Sequence, residues 1–377
     1  MDRKNICEIC TLIMGQSPDS KSYNKDKNGI PFYQGNADFG EKHPTPTVWC
    51  TAPKKIARKG DILISVRAPI GDMNIANEDC CIGRGLAAIR LTKSNIVDIN
   101  YLYHYLSATV EFLQEQGTGS TFKAINKTTL EGIEIPCPSI EKQKNIAKLI
   151  IEIKTSIQYK KAELFALNEL VKSRFIEMFG DIRISSIFPN IALENFAQIG
   201  SSKRVHAADY VESGVPFYRS KEIIELGNGQ EPSVELFISK KQYESIKKTN
   251  GVPCKGDILM SAVGTIGKMW IVDGRKDFYY KDGNIISIHS EETNPIYLKE
   301  ALANLIDDFK SANVAGSAYS ALTIVKLKKM TVPMPPMSIQ NEFADFVKLI
   351  DKSKFIVQKQ IDDLQELLDS KMDEYFG

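Results

Sequence analysis

The stretch KGDILISVRAPIG, Lys59–Gly71, returns as KGDILMSAVGTIG, Lys255–Gly267, with eight of thirteen positions identical. An internal repeat limits a fold more tightly than any local pattern, because each copy has to form the same unit. The match extends outward: Ile30-Pro31-Phe32-Tyr33 recurs as Val215-Pro216-Phe217-Tyr218, and Tyr101-Leu102 as Tyr297-Leu298. Spacing drifts across this region, as loops of different length allow. From Gly119 onward the offset is fixed at 197, pairing Pro136 and Pro138 with Pro333 and Pro335, Gln143 with Gln340, and Phe179-Gly180 with Phe376-Gly377. About sixty residues without a gap point to a packed, rigid element, since insertions are absorbed in loops and not inside helices.

That element reads as a long helix in each copy. Ile146, Ile150, Ile153, Ile157, Leu164, Leu167 and Val171 follow a seven-residue period that continues to Arg174 and Met178. Phe343, Val347, Ile350, Val357, Ile361, Leu364 and Leu368 keep the same phase in the second copy, continuing to Lys371 and Tyr375. Such a seam predicts a two-helix coiled coil. The upstream prolines, and Gly180 and Gly377 downstream, bound the helices. The expected division is a lobe over 1–138, a helix over 139–180, a second lobe over 184–335 and a second helix over 337–377. Short connections favour an antiparallel pair that separates the two globular lobes, giving a pseudo-twofold molecule. The lobes mix β-type runs such as 61–66 with helix-period stretches at 99–115 and 296–311, so the fold class is α+β.

Composition narrows the class further. With 43% hydrophobic and 25% charged residues the chain of 377 has the character of two soluble domains, each able to bury a core. No apolar run approaches the ~20 residues that span a bilayer, and the first ten residues lack the apolar core of a signal peptide. Seven cysteines without a paired framework suit a reducing compartment, so a cytoplasmic location is expected. Cys7 and Cys10 form a CxxC, but a structural zinc site wants two well-spaced pairs, and small buried side chains are the simpler reading. A net charge of +1 leaves nucleic-acid binding to be decided by local distribution.

Catalytic constellations are absent from the sequence. It has no Walker A loop, no G-x-S-x-G, and no H-E-x-x-H; His43, His104, His206 and His289 are scattered. The clusters Gly83-Arg84-Gly85 and Gly227-Asn228-Gly229 lack the third glycine of a dinucleotide fingerprint and read as turns. The chain reads as non-enzymatic, with no metal or cofactor of its own.

Polar and cationic residues instead collect at matching places in the two lobes. Ser17, Lys21, Ser22, Asn24 and Lys25 face Ser202, Lys203, Arg204 and His206. After the Pro-Phe-Tyr motif, Gln34 and Asn36 face Arg219, Ser220 and Lys221. The tip of the opening repeat adds Arg67, with Arg84 nearby, against Thr265 and Lys268; further on, Ser120, Thr121 and Lys123 face Ser317 and Tyr319. These residue types read base edges or hold phosphates, and loops on a fixed frame are where such contacts can vary. The competing readings are ordinary solvated surface, or a coiled-coil scaffold whose two lobes bind proteins.

In combination, these features resemble the DNA-specificity subunit of Type I restriction-modification systems. IEIPCPSIEKQ and MTVPMPPMSIQ at the lobe ends, and the KGDIL stretch with its following Ile-Gly, are similar to that family's pattern. Pro136-Cys137-Pro138-Ser139 departs from the double proline that Pro335-Pro336 keeps. The resemblance implies a host-defence protein that binds double-stranded DNA and reads a bipartite, gapped target with two recognition domains. It also implies that the helices set the spacing, and that two methyltransferase subunits dock and through them restriction subunits. S-adenosylmethionine, ATP and magnesium would belong to those partners, and no membrane is involved.

Overall fold

The computed structural model describes residues 2–115, 124–181, 185–313 and 322–377. By their packing, these divide into two units, one of residues 1–161 with 359–377 and the other of residues 162–358. Each unit joins one lobe to the first half of one long helix and the last half of the other.

The lobes share a strand order that the drifting loop lengths conceal. In the first unit a four-stranded antiparallel sheet runs in the order Cys10–Met14, Leu86–Leu91, Ile62–Ser65, Met73–Ile75. In the second the order is Gln198–Gly200, Ile285–His289, Ile258–Ser261, Met269–Ile271. The central strands are apolar, as strands buried on both faces must be: Ile62, Leu63 and Ile64 are fully buried in the first unit, as are Leu259 and Met260 in the second.

A second sheet repeats in the same way. The first unit orders Tyr23–Asn24, Trp49–Cys50, Ile30–Tyr33, Cys80–Ile82 and Ile56–Ala57. The second orders Tyr210–Val211, Phe237–Ile238, Val215–Tyr218 and Tyr279–Tyr280. In both, the strand carrying Pro-Phe-Tyr runs parallel to the strand that follows the repeat hairpin. The second unit adds helices Ser220–Gly227 and Lys240–Thr249, where the first has only short turns and the strand Ile56–Ala57.

The helix-period stretches form Ile99–Ala108 and Val110–Glu115 in one unit and Pro295–Asn313 in the other. A two-stranded ribbon, Arg3–Asn5 with Glu134–Pro136 and Asn190–Ala192 with Thr331–Pro333, leads into each long helix.

The long helices are Ile140–Phe179 and Met337–Phe376, each of 40 residues and starting 197 apart despite the missing second proline. Their seam is buried at Ile146, Ile150, Ile153, Ile157 and Val171, and at Phe343, Val347, Ile350, Val357, Ile361 and Leu368. Leu164, Leu167 and Leu364 are half-buried. At the helix ends the seven-residue period fails. Phe175 and Phe179 enter the core fully, while Met178 is half-buried against it and Arg174 stays at its rim. An undistorted helix drifts against a period of seven, and there the helix packs on the lobe as well as on the other helix. Phe179 packs on Tyr297 with ring centroids 4.8 Å apart; its repeat mate Phe376 packs on Tyr101 at 5.4 Å.

Within the second unit, Phe179 at the end of one helix meets Phe343 near the start of the other at 5.3 Å, and Arg174 pairs with Glu342 at 3.2 Å. The helices are therefore antiparallel there. Among the described residues no helix is long and apolar enough to cross a membrane.

Candidate nucleic-acid interface

In the first lobe, the parallel strands Ile30–Tyr33 and Cys80–Ile82 end side by side, Phe32 opposite Cys81 and Tyr33 opposite Ile82. The chain leaves them as Gln34 and as Gly83-Arg84-Gly85. Gly83 N–H donates to Tyr33 O at 2.8 Å and Gly85 N–H to Gln34 O at 3.1 Å. A Cβ at Gly83 would stand 2.6 Å from Gln34 Oε1, and one at Gly85 2.5 Å from Gln34 O, so glycine alone permits this approach. The result is exposed Arg84 between two buried glycines.

Ser17 Oγ donates to Gln34 Oε1 at 3.0 Å and accepts from Arg84 N–H at 3.4 Å. The hairpin tip joins the same edge, because Val66 N–H donates to Gly85 O at 2.9 Å, leaving Arg67 exposed beside it. Ser17, Gln34, Arg67 and Arg84 are thus brought together. Asn36 is held by Asp72 at 2.5 Å. Lys21 and Ser22 lie on a short turn and Asn24 on the outermost strand of the sheet, with Ser22 bonded to Asp19 O and Asn24 to Asn28 O; exposed Lys25 follows.

The second lobe builds the same edge from different side chains. Phe217 lies opposite Tyr279 and Tyr218 opposite Tyr280, and the chain leaves as Arg219 and as Lys281-Asp282-Gly283-Asn284. Lys281 N–H donates to Tyr218 O at 2.9 Å and Ala262 N–H to Asn284 O at 2.8 Å, matching the Gly83–Tyr33 and Val66–Gly85 bonds of the first lobe. Lys203 N–H donates to Tyr279 Oη at 2.7 Å, and Arg204 Nε to Asp282 Oδ2 at 2.8 Å. Thr265 and Lys268 are exposed on the hairpin, His206 opens a short turn, and Ser202 and Ser220 are half-buried.

Arg219 is engaged within the lobe. It caps the helix Ser220–Gly227, its Nη2 donating to buried Glu222 at 2.7 Å and to Glu235 at 2.9 Å, and Lys221 Nζ also reaches Glu235 at 3.1 Å. These carboxylates raise the Arg219 guanidinium above its ordinary value, while Lys221 and Arg219 hold the Glu235 carboxyl below its own. Exposed Lys281 is absent from the sequence-based set; it follows the strand Tyr279–Tyr280 at the position that buried Gly83 holds in the first lobe. Ser120, Thr121, Lys123, Ser317 and Tyr319 lie outside the described residues.

The shared hairpin holds both edges in place. Ser65 Oγ donates to Pro69 O at 2.5 Å and accepts from Asp72 N–H at 3.1 Å; Ser261 Oγ donates to Thr265 O at 2.5 Å and accepts from Lys268 N–H at 3.0 Å. Asp61 accepts from Arg58 N–H at 2.8 Å and pairs with Arg90 at 2.7 Å; Asp257 accepts from Cys254 N–H at 2.8 Å and pairs with His289 at 2.7 Å. The repeated residues are thus structural, and the unshared tip is what faces outward.

Other titratable groups are dispersed. Cys7 is exposed, while Cys10 is buried, its thiol pushed up to about 12 chiefly by that burial. Among the described residues no three His, Cys, Asp or Glu are placed to hold a metal ion. Buried His104 packs in the helix Ile99–Ala108.

The family model described as Type I restriction modification DNA specificity domain matches residues 1–169 and again 188–366. The putative MjaX specificity subunit of Methanocaldococcus jannaschii is 45% identical over 177 residues, 46% of this chain and 41% of that protein. The MjaIX specificity subunit of the same organism is 24% identical across 98% of this chain and 91% of its own. The putative subunit S.HindORF215P of Haemophilus influenzae is 28% identical across 67% and 63%. This chain thus matches less than two thirds of the MjaX and HindORF215P subunits. Among solved structures, the S subunit of a Type I system from M. genitalium has a similar fold, with TM-score 0.59 and 16% identity over 100% of this chain and 96% of that one. With the model matched once on each repeat, the chain belongs to the family of Type I restriction-modification DNA specificity domains and carries two of them.

Proposed function

We propose that this chain is the non-catalytic, sequence-reading subunit of a Type I restriction-modification complex. Each lobe reads one half-site from the major groove with the edge where its parallel strands end. The observation that carries this reading is the contrast within a common frame. Strand order and hairpin bonds repeat, while Gln34, Arg67 and Gly83-Arg84 at one edge become Arg219, Val263 and Lys281-Asp282 at the other. Two modules reading different bases require that combination.

The helix pair acts as a ruler that leaves the bases between half-sites unread, and half-sites about one turn apart, ~34 Å, suit such a spacing. Two methyltransferase subunits dock on this chain and restriction subunits join through them. S-adenosylmethionine, ATP and magnesium belong to those partners, and the complex works in the cytoplasm.

Sequencing of methylated adenines in the source genome, together with footprinting of the complex reconstituted with its methyltransferase, tests the reading. The expected result is one gapped, non-palindromic site. An ungapped footprint, or no salt-sensitive DNA binding, overturns it. A heptad inserted into Glu141–Phe179, with its match in Ser338–Phe376, changes the gap length and leaves both half-sites as they were.

A further inference from the structure

We infer that Glu235 is a displaceable guard of the second lobe's reading edge, occupying the two cations that DNA must engage there. The inference rests on the reading of that edge as a DNA contact.

Arg219 leaves the end of the strand Val215–Tyr218 at the position that Gln34 holds in the first lobe. Two carboxylates hold it in different ways. Glu222 is a fixture: its side chain is 1% exposed, and it accepts from both the Arg219 backbone at 2.7 Å and the guanidinium at 2.7 Å. Glu235 is 56% exposed and reaches across from another segment to bond Arg219 at 2.9 Å and Lys221 at 3.1 Å. Its segment is steered there by Glu225, which accepts from the backbone and hydroxyl of Ser233, both at 2.7 Å.

Two cations against two carboxylates leave the cluster neutral. If Glu235 swings away, the fixed Arg219–Glu222 pair with Lys221 carries one net positive charge. The guanidinium edge and ammonium freed in this way present the donors that a phosphate or a guanine edge accepts. An exposed ion pair contributes little to stability, so the exchange is accessible, yet it removes one anion's worth of attraction from any DNA that approaches. The first lobe has no such guard on its equivalent residue, where Gln34 is neutral and bonded to Ser17. A guard of this kind therefore restrains affinity for DNA at large at the second lobe.

The test uses the full chain copurified with its methyltransferase and a labelled random-sequence duplex, titrated at several salt concentrations. Glu235→Gln is expected to tighten binding about five- to tenfold at low salt and to steepen the slope of log K against log salt by about 0.9, one additional phosphate contact. In a Lys221→Gln background the gain should shrink, since the ammonium freed by the exchange is missing. Unchanged or weaker binding by Glu235→Gln, with an unaltered melting transition, overturns the guard. If the unsubstituted complex binds no duplex in a salt-sensitive way, it is the reading of the edge itself that fails.

Discussion

Gln143 and Asp98 are joined by a 2.9 Å hydrogen bond, the Asp98 backbone N–H donating to the carboxamide oxygen of Gln143. The same side chain donates to Ile96 O at 2.9 Å and Pro138 O at 2.8 Å, although it is fully buried at the start of the long helix. Gln340 repeats the arrangement, accepting from Asn294 N–H at 2.8 Å and donating to Pro335 O at 2.9 Å. One carboxamide thereby ties the helix entrance to the lobe in each unit. Replacing Gln143 with Leu strands a donor and two acceptors away from water, and a loss of about 2–4 kcal/mol is expected. Denaturant titration checks this; a loss below about 0.5 kcal/mol would show that water replaces the carboxamide.

His104 makes stability depend on pH. It is 5% exposed, and its Nδ1 has no hydrogen-bond partner among the described residues. Burial, reinforced by Lys154 and Lys42, lowers its pKa from 6.5 to about 4. The unfolded chain binds a proton from pH 6.5 downward while the folded chain refuses it until about 4. Stability from this group is therefore complete above pH 6.5 and falls as the pH drops, by about 3 kcal/mol at most. His104→Phe should flatten that slope; an equally steep acid loss in the variant assigns it to other groups.

The hairpin glycines are fixed by both backbone and neighbours. Gly71 has φ +98° and a Cβ there would meet Val110 Cγ1 at 2.4 Å; Gly267 has φ +79° and would meet Ile306 Cγ2 at the same 2.4 Å. Left-handed backbone costs a side chain about 1–2 kcal/mol and overpacking about 1–3 more. Gly71→Ala should thus destabilise by roughly 2–5 kcal/mol. Gly71→Ala with Val110→Ala should regain only the steric part, which thermal melting of the two variants resolves.

Much of this architecture is legible in the sequence because helices tolerate no gaps and keep their period. The offset of 197 gives both long helices and the pairing of Gln143 with Gln340. The parallel pairing of Pro-Phe-Tyr with Cys80–Ile82 is not legible, since it joins strands far apart in the chain. For that reason Lys281 escapes notice, and so does the inserted helix Lys240–Thr249. Polarity alone also overstates the site: Arg219 and Lys221 read as free cations, whereas Glu235, sixteen and fourteen positions away, engages both. Phe175 and Phe179 are missed for a different reason, a heptad extrapolated past the point where the lobe joins the other helix as partner.

The two copies predict each other's tolerances. Arg90 and His289 follow Ile89 and Ile288, which pair with Ile62 and Ile258, so they occupy one position in the common sheet and bind the same aspartate. Arg90→His should therefore be accommodated within about 1 kcal/mol. Asp61→Ala should not, because Arg90 and the Arg58 N–H lose their partner together, at about 1–3 kcal/mol. Similar losses for the two variants would show that the frame does not depend on the aspartate.

Arg84 offers the sharpest separation of reading from mere attachment. It is held outward between glycines that no other residue can replace without displacing Gln34. If its guanidinium reads a guanine edge, Arg84→Ala costs about 1–3 kcal/mol on the cognate site and relaxes one base of one half-site. If it holds a phosphate, binding weakens on every sequence and the salt slope falls by about 0.9. Methylated-adenine sequencing of a strain carrying Arg84→Ala, with a salt titration of the purified complex, separates the two. The first outcome is expected, because Arg84 is held outward between two buried glycines at the end of the parallel strands, the edge proposed to enter the groove. A variant that methylates the unaltered site with undiminished affinity removes Arg84 from the interface.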